Sequence, residues 1–415
     1  ATTEIYTLSL HDALPISFPR YLIPMANGED TECRMHIQDL PFKSGQTIWV
    51  SIEPVDRAGN AGQPFMRPVA LSDAPTFSFD ETTATAYPPD PNLPSVGGVR
   101  IGVMDESDKI NPVSGQMIPP HPDGYLGGNH FFSASQRRIR LFSGKNEFIA
   151  FQLAFNGTAE SISVAFSFPA ASKAETTLWE PGYVIIDKTT FLPDPLQPSN
   201  GAISIPSKAG VNTVAGQVWH ALLGEVYVPH TAPAGKTQGQ IDITANGETL
   251  SLTVDLTVWN FTLPNQLSFV PEMNSYNTTL FPAAWHRLAH RHRTCINQLP
   301  YGWYCNVGSP YNTLNWDGEQ FKWDTFDQVA GPLLDGSMFK DEPRSGEPVA
   351  AFYLPFNESW PVRLAPNFTP SYWADEAFTD EYRDGMKKAY AAFVKHIDQK
   401  QWHDTAFEFY LNNKV

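Results

Sequence analysis

Alternation of apolar and polar positions is strongest between residues 98 and 262. Ile149, Phe151, Leu153 and Phe155 alternate with Ala150, Gln152 and Ala154, and Ile162, Val164, Phe166 and Phe168 with Ser163, Ala165 and Ser167. A period of two with one apolar face predicts half-buried strands of a β-sandwich. Asn246-Gly247 separates residues 241–245 from 248–258, and Asn-Gly between alternating segments is the strongest short-range hairpin signal. In the second arm Leu250, Leu252, Val254, Leu256 and Val258 are predicted to face the core.

Upstream the pattern is weaker. Residues 47–54 (TIWVSIEP) alternate as a strand should, and the following VDRAGNAG supplies turn residues that tolerate positive φ. Residues 17–73 therefore read as the late strands of a fibronectin type III-like module. Residues 74–97, rich in Pro, Thr and Asp without a sustained period, read as a semi-extended linker.

Beyond Leu267 the texture changes to strands alternating with helical stretches, which predicts βα units around a parallel sheet. Strands are expected at 268–273, 295–299, 349–354 and 406–411, and helices at 282–293, 324–334 and 380–400. The last helix carries an apolar stripe of Tyr382, Met386, Ala389, Tyr390, Phe393 and Ile397. Asp380 and Glu381 open it, and Lys395 and Lys400 lie towards its end, as the helix dipole favours.

Composition narrows the partners. The 36 prolines and 13% aromatic residues beside 17% charged ones suit β-modules and aromatic-lined sites. With 28 basic against 44 acidic residues the formal charge is −16, which excludes an electrostatic footprint for nucleic acid or anionic membrane. No apolar run approaches the roughly 18–20 residues of a membrane span. Cys33, Cys295 and Cys305 are odd in number and lack CxxC spacing, so they make neither a disulfide framework nor a zinc site. Cys295 and Cys305 could pair, but free thiols are the expectation. No phosphate-cradling loop, nucleophile elbow or HExxH motif is present, and no cofactor is expected.

The first sixteen residues, ATTEIYTLSLHDALPI, match codon for codon the translation of a sequencing-library adapter. They lack the basic start and unbroken apolar stretch of a signal peptide. They are expected to contribute nothing to fold or function, and either to dangle or to pair opportunistically.

Several segments together carry a resemblance. The strand 147–153 (EFIAFQL) looks like an E-x-x-x-x-Q-L sandwich strand. Val226-Tyr227-Val228-Pro229, Gly235, the 239–258 hairpin and Leu263-Pro264 follow in order. Residues 98–415 resemble glycoside hydrolase family 123 and its relatives, in which a β-sandwich precedes a catalytic barrel. The resemblance implies a multidomain chain: adapter at 1–16, fibronectin III-like remnant at 17–73, linker at 74–97, β-sandwich at 98–262, and an incomplete (β/α)8 TIM-type barrel, its first four strands, at 263–415. It also implies a glycan substrate containing N-acetylhexosamine and substrate-assisted retaining hydrolysis. An Asp-Glu pair would serve that reaction, and it is expected beyond Val415, so the chain by itself is expected to hydrolyse no glycoside. A secreted, periplasmic or cell-surface setting follows. A non-catalytic cell-surface carbohydrate-binding or scaffold protein is the second reading.

Barrel chemistry sits at the C-terminal ends of strands. By position the substrate-binding candidates are Glu272, Asn274 and Tyr276, then Tyr301 and Trp303, then Asn357, Glu358 and Trp360, and finally Asn412 and Asn413. Exposed aromatic rings stack on sugar faces, and Asn and Glu bind hydroxyls. Glu358 is the carboxylate best placed for a catalytic part, although hydrogen bonding to substrate suits it better. Asp341-Glu342-Pro343 looks like a catalytic motif but is expected to be a solvated turn. His286 and His290, one turn apart on a helix, are expected to serve packing and not a metal.

Overall fold

The computed structural model describes residues 8–10, 13–16, 45–52, 62–70, 86–187, 190–210, 212–275, 281–298, 314–357, 360–363 and 378–409. The chain divides into two units, Ala1–Ala84 and Thr85–Val415. In the first, Ala13–Ile16, Leu8–Leu10, Thr47–Ile52 and Phe65–Ala70 form an antiparallel four-stranded sheet in that order. The adapter-like residues therefore pair rather than dangle, Leu8 opposite Val50 and Ser9 opposite Trp49. The Phe65–Ala70 strand is exposed along its whole length.

Two six-stranded sheets form the centre of the second unit. One runs Ala202–Ile205, Ala159–Ser167, Gly235–Ala245, Glu248–Thr262, Arg138–Lys145, Phe132–Ser133. The other runs Phe191–Ser199, Glu175–Ile185, Trp219–Val228, Glu147–Asn156, Val99–Met104, Ser95–Val96. Their inner faces share one core that contains Phe151, Leu153, Phe155, Ile162, Val164 and all five predicted hairpin residues, Leu250 to Val258. The hairpin turns at Asn246 (φ 48°) and Gly247 (φ 82°), with Ala245 opposite Glu248, the left-handed pair that a two-residue turn needs. Pro193, Pro195 and Pro198 lie on the edge strand Phe191–Ser199, where a missing N–H costs no ladder bond.

Two expectations change here. The Glu147–Asn156 strand is buried on both faces over residues 151–155, because Gln152 and Ala154 are covered as well. Gln152 Nε2 donates to the carbonyls of Asp105, Glu106 and Asp108 at 3.0, 3.0 and 2.7 Å, which lays the 105–108 loop over the sheet's outer face. Residues 86–97, read as the end of a linker, instead adhere to the sandwich. Tyr87 N donates to Asn129 O and Asp90 N to Gly124 O, both at 2.9 Å, and Ser95–Val96 joins a sheet. Composition could not show this, since the glycines that admit the segment lie elsewhere in the chain. A Cβ on Gly128 would stand 1.8 Å from the Pro88 carbonyl oxygen, and one on Gly127 2.1 Å from that of Asp90. Gly128→Ala is expected to strip hydrogen-exchange protection from the Tyr87 and Asp90 amides while the central strands keep theirs. Unchanged protection at Tyr87 would contradict this packing.

The remainder is mixed β/α. Glu272–Ser275 pairs in parallel with Cys295–Gln298, and Ala351–Tyr353 with Ala406–Glu408. The second and third of these strands lie alongside each other. Helices occupy Ala283–Arg291, Asp324–Leu334 and Asp380–Lys400. Thr379 Oγ1 caps the last by accepting from Tyr382 N at 3.2 Å. Phe326, Phe352, Phe356, Phe393 and Trp402 dominate a second core. These elements agree in type with the predicted βα units, but no closed barrel is present among the described residues.

The described strands depart from the predicted bounds, and prolines explain part of the difference. The first starts only after Pro271, and the third ends before Pro355. Pro lacks the N–H that a ladder needs. The sandwich is tied to this second core by Arg344 Nε donating to Asn265 O at 2.6 Å and Asn146 Nδ2 to Leu263 O at 2.9 Å.

Candidate functional site

The strands bring together polar side chains distant in sequence. Glu272 and Asn274 project from the first, Asn297 from the second, Tyr353 from the third and Glu408 from the fourth. Period-two geometry explains the set: Phe352 and Phe407 turn into the aromatic core, so their neighbours Tyr353 and Glu408 turn the other way. Tyr353 stands opposite Glu408, and Asn274 opposite Asn297.

Asn297 Nδ2 donates to Glu272 Oε2 at 3.0 Å, and Asn274 Nδ2 to the Tyr353 hydroxyl at 3.4 Å. The Glu408 carboxyl lies close enough to the Tyr353 hydroxyl and the Glu272 carboxyl for each to bear on its titration. Burial, then the neighbouring Glu272 charge, raises the Glu408 pKa above its ordinary value. Burial, with the two glutamates adding to it, pushes the Tyr353 phenol up to about 12. Burial and the neighbouring Glu272 both favour the protonated form of Glu408. The cluster thus offers two carboxyl groups, a phenol and two amides on one face.

Of the sequence candidates, Glu272 and Asn274 belong to this cluster. Tyr276, Tyr301, Trp303, Glu358, Asn412 and Asn413 lie outside the described residues. Asn357 and Trp360 stand elsewhere: they form a short antiparallel bridge, Asn357 is fully buried, and the Trp360 ring packs on Phe321 and Phe356. Sequence reasoning missed Asn297, Tyr353 and Glu408. Asn297, Tyr353 and Glu408 lie within the described strands, whereas most of the candidates were taken from residues beyond the predicted strand ends.

Glu342 is not solvated. It is buried in its turn, its Oε1 2.8 Å from Arg287 Nη2 and its Oε2 3.0 Å from Arg291 Nε. The spacing of those arginines, i and i+4 on Ala283–Arg291, was the available signal. His286 and His290 are packed inside. The His290 ring stacks on Phe339 at 3.9 Å, its Nε2 donates to Glu347 O at 3.0 Å, and its Nδ1 is buried without a partner. Burial lowers His286 to about 4 and, with Arg344 adding to it, His290 to about 3, so both are neutral at ordinary pH. Among the described residues no group of three or more His, Cys, Asp or Glu is arranged to hold a metal, and no helix is long and apolar enough to cross a membrane.

No family model matches the chain, and no curated protein matches it. Among solved structures it aligns with a family 123 glycoside hydrolase from Clostridium perfringens, described in work on glycolipid glycan hydrolysis. Identity is 11% and the TM-score 0.42, over 75% of this chain and 58% of that one. The C-terminal domain of the AgI/II polypeptide BspA of Streptococcus agalactiae aligns at 11% identity and TM-score 0.18, over 52% and 59%. CfaE, the adhesive subunit of the CFA/I fimbria of enterotoxigenic Escherichia coli, aligns at 11% and 0.16, over 63% and 72%. The likeness to the family 123 hydrolase is partial and distant.

Proposed function

We propose that this chain is part of a carbohydrate-active protein of glycoside hydrolase type. In this reading residues 263–415 form the first half of a (β/α)8 barrel, and Glu272, Asn274, Asn297, Tyr353 and Glu408 grip a glycan through its hydroxyl and acetamido groups. The convergence of Glu272 and Glu408, each from a different strand, carries the reading. Retaining hydrolases hold their two carboxyl groups about 5–5.5 Å apart and inverting ones about 6.5–9.5 Å apart. Glu272 and Glu408 are instead neighbours that bear on one another's charge, which suits a pair facing one substrate better than a pair set on either side of a sugar carbon. Substrate assistance, in which a 2-acetamido group is the nucleophile, needs no second catalytic carboxylate of that kind, and its proton donor is proposed to lie outside this cluster.

Titration of the full chain with N-acetylgalactosamine tests the proposal. Glu272→Gln is expected to weaken binding about tenfold, as loss of a charged hydrogen-bond partner does. An aryl N-acetyl-β-galactosaminide should be bound but not turned over. Affinity unchanged by Glu272→Gln would oppose the proposal. Turnover abolished by Glu408→Gln would make Glu408 the catalytic acid instead.

A further inference from the structure

A second site lies on the sandwich, apart from the strand-end cluster. The outer face of the Glu147–Asn156 sheet is covered by residues 105–127, and between that cover and the 90–93 segment opens a cleft of about 410 Å³. Its walls include the rings of His121, Tyr125 and Trp219, and Arg100, Asp90 and Gln116 supply polar groups.

These walls are fixed before any ligand arrives. His121 lies 3.7 Å over Tyr125 with the ring planes 3° apart. One buried carboxylate holds both rings: Asp108 Oδ1 is 2.9 Å from His121 Nε2, and Oδ2 accepts from the Tyr125 hydroxyl at 2.7 Å. Trp219 is pinned through its backbone. Its N–H donates to Pro112 O at 2.9 Å, and its carbonyl accepts from Gln217 Nε2, also at 2.9 Å.

Gln217 belongs to a buried network that the strand-end site does not use. Its Nε2 also donates to the Tyr183 hydroxyl at 2.8 Å, Tyr183 meets His220 Nδ1 at 2.7 Å, and His220 Nε2 meets Glu180 at 2.8 Å. The indole rests against Gly115, where a Cβ would stand 2.4 Å from Nε1. On the rim, Arg100 Nε donates to Asn156 Oδ1 at 3.0 Å, and Asp90 is drawn in by its amide bond to the Gly124 carbonyl.

We infer that this cleft is a second binding site, for a neutral mono- or disaccharide. Flat rings already in place present apolar faces to the C–H face of a pyranose, and no side-chain ordering is charged against binding. A rim with a guanidinium, carboxylates and an amide serves hydroxyls, which both donate and accept, while its mixed sign disfavours a phosphate or carboxylate ligand. The volume lies at the small end of the roughly 300–1,000 Å³ of ligand pockets, which suits one or two rings and not an extended chain. The inference is independent of the strand-end proposal.

The test uses the full chain labelled at indole nitrogens, titrated with lactose, cellobiose and N,N′-diacetylchitobiose, with glucuronate and a proline-rich decapeptide as controls. At least one disaccharide is expected to shift the Trp219 indole N–H saturably, the resonance being identified by its loss in Trp219→Leu. Trp219→Leu and Arg100→Met should each weaken that binding about tenfold, as followed by the remaining shifts. Glu408→Gln should leave it unchanged, which separates this site from the strand-end cluster. If Trp219→Leu fails to fold, Arg100→Met on the exposed rim decides. Absence of any disaccharide shift, a response to glucuronate or the peptide alone, or wild-type affinity in Arg100→Met would overturn the inference.

Discussion

Lowering the pH from 7 to 5 is expected to destabilise the chain by about 3–4 kcal/mol through His286 and His290 alone. Both are buried, and burial depresses them to about 4 and about 3 in the folded chain. An unfolded histidine titrates near 6.5. Between that pH and about 4 the unfolded chain takes up protons that the folded chain refuses, so stability falls as pH falls and levels off only when the folded groups also protonate. His290 cannot readily accept a second proton. Arg344, Arg287 and Arg293 raise the local positive potential, and Phe339 covers its ring. Denaturant unfolding at the two pH values, on wild type and on a His286→Leu/His290→Phe double variant, isolates this contribution from the carboxylates. The wild type should lose several kcal/mol more than the variant. Equal losses would show that these histidines are not buried neutral.

Glu342→Ala is expected to cost about 2–3 kcal/mol, below the roughly 3–5 kcal/mol of a fully buried broken ion pair because its arginines are partly solvated. The carboxylate is 3% exposed and its partners Arg287 and Arg291 about a third exposed. Removing it leaves two like charges one helical turn apart against a turn that still buries Arg344. The melting temperature should fall, while N-acetylgalactosamine affinity at low temperature stays at the wild-type value. Lost affinity with an unchanged melting temperature would return Asp341-Glu342-Pro343 to the functional site.

The sandwich was legible because each signal was local. Asn246-Gly247 sets its own turn, and the residues from Leu250 to Val258 need only a period of two to find the core. Helices Asp324–Leu334 and Asp380–Lys400 lie where the pattern placed them, each long enough to average out single exceptions. Strands of three or four residues do not average, and Glu272–Ser275 or Ala406–Glu408 can shift by two positions unnoticed. The site suffered most from this, since a shift of one residue exchanges Phe407 for Glu408 on a given face. The Gln152 and Gly128 contacts were invisible for another reason: their partners are distant in sequence, and neither residue type announces what it touches.

The most direct test asks whether Glu272 raises the Glu408 pKa at a sugar-binding face. Carboxyl ¹³C resonances of the glutamate-labelled chain, followed through a pH titration with and without N-acetylgalactosamine, measure this. Glu408, assigned through Glu408→Gln, is expected to titrate above its ordinary value. In Glu272→Gln it should move back towards that value, and the sugar should shift both resonances while leaving Glu342 in place. A Glu408 that titrates with the surface glutamates and ignores the sugar would contradict the proposal.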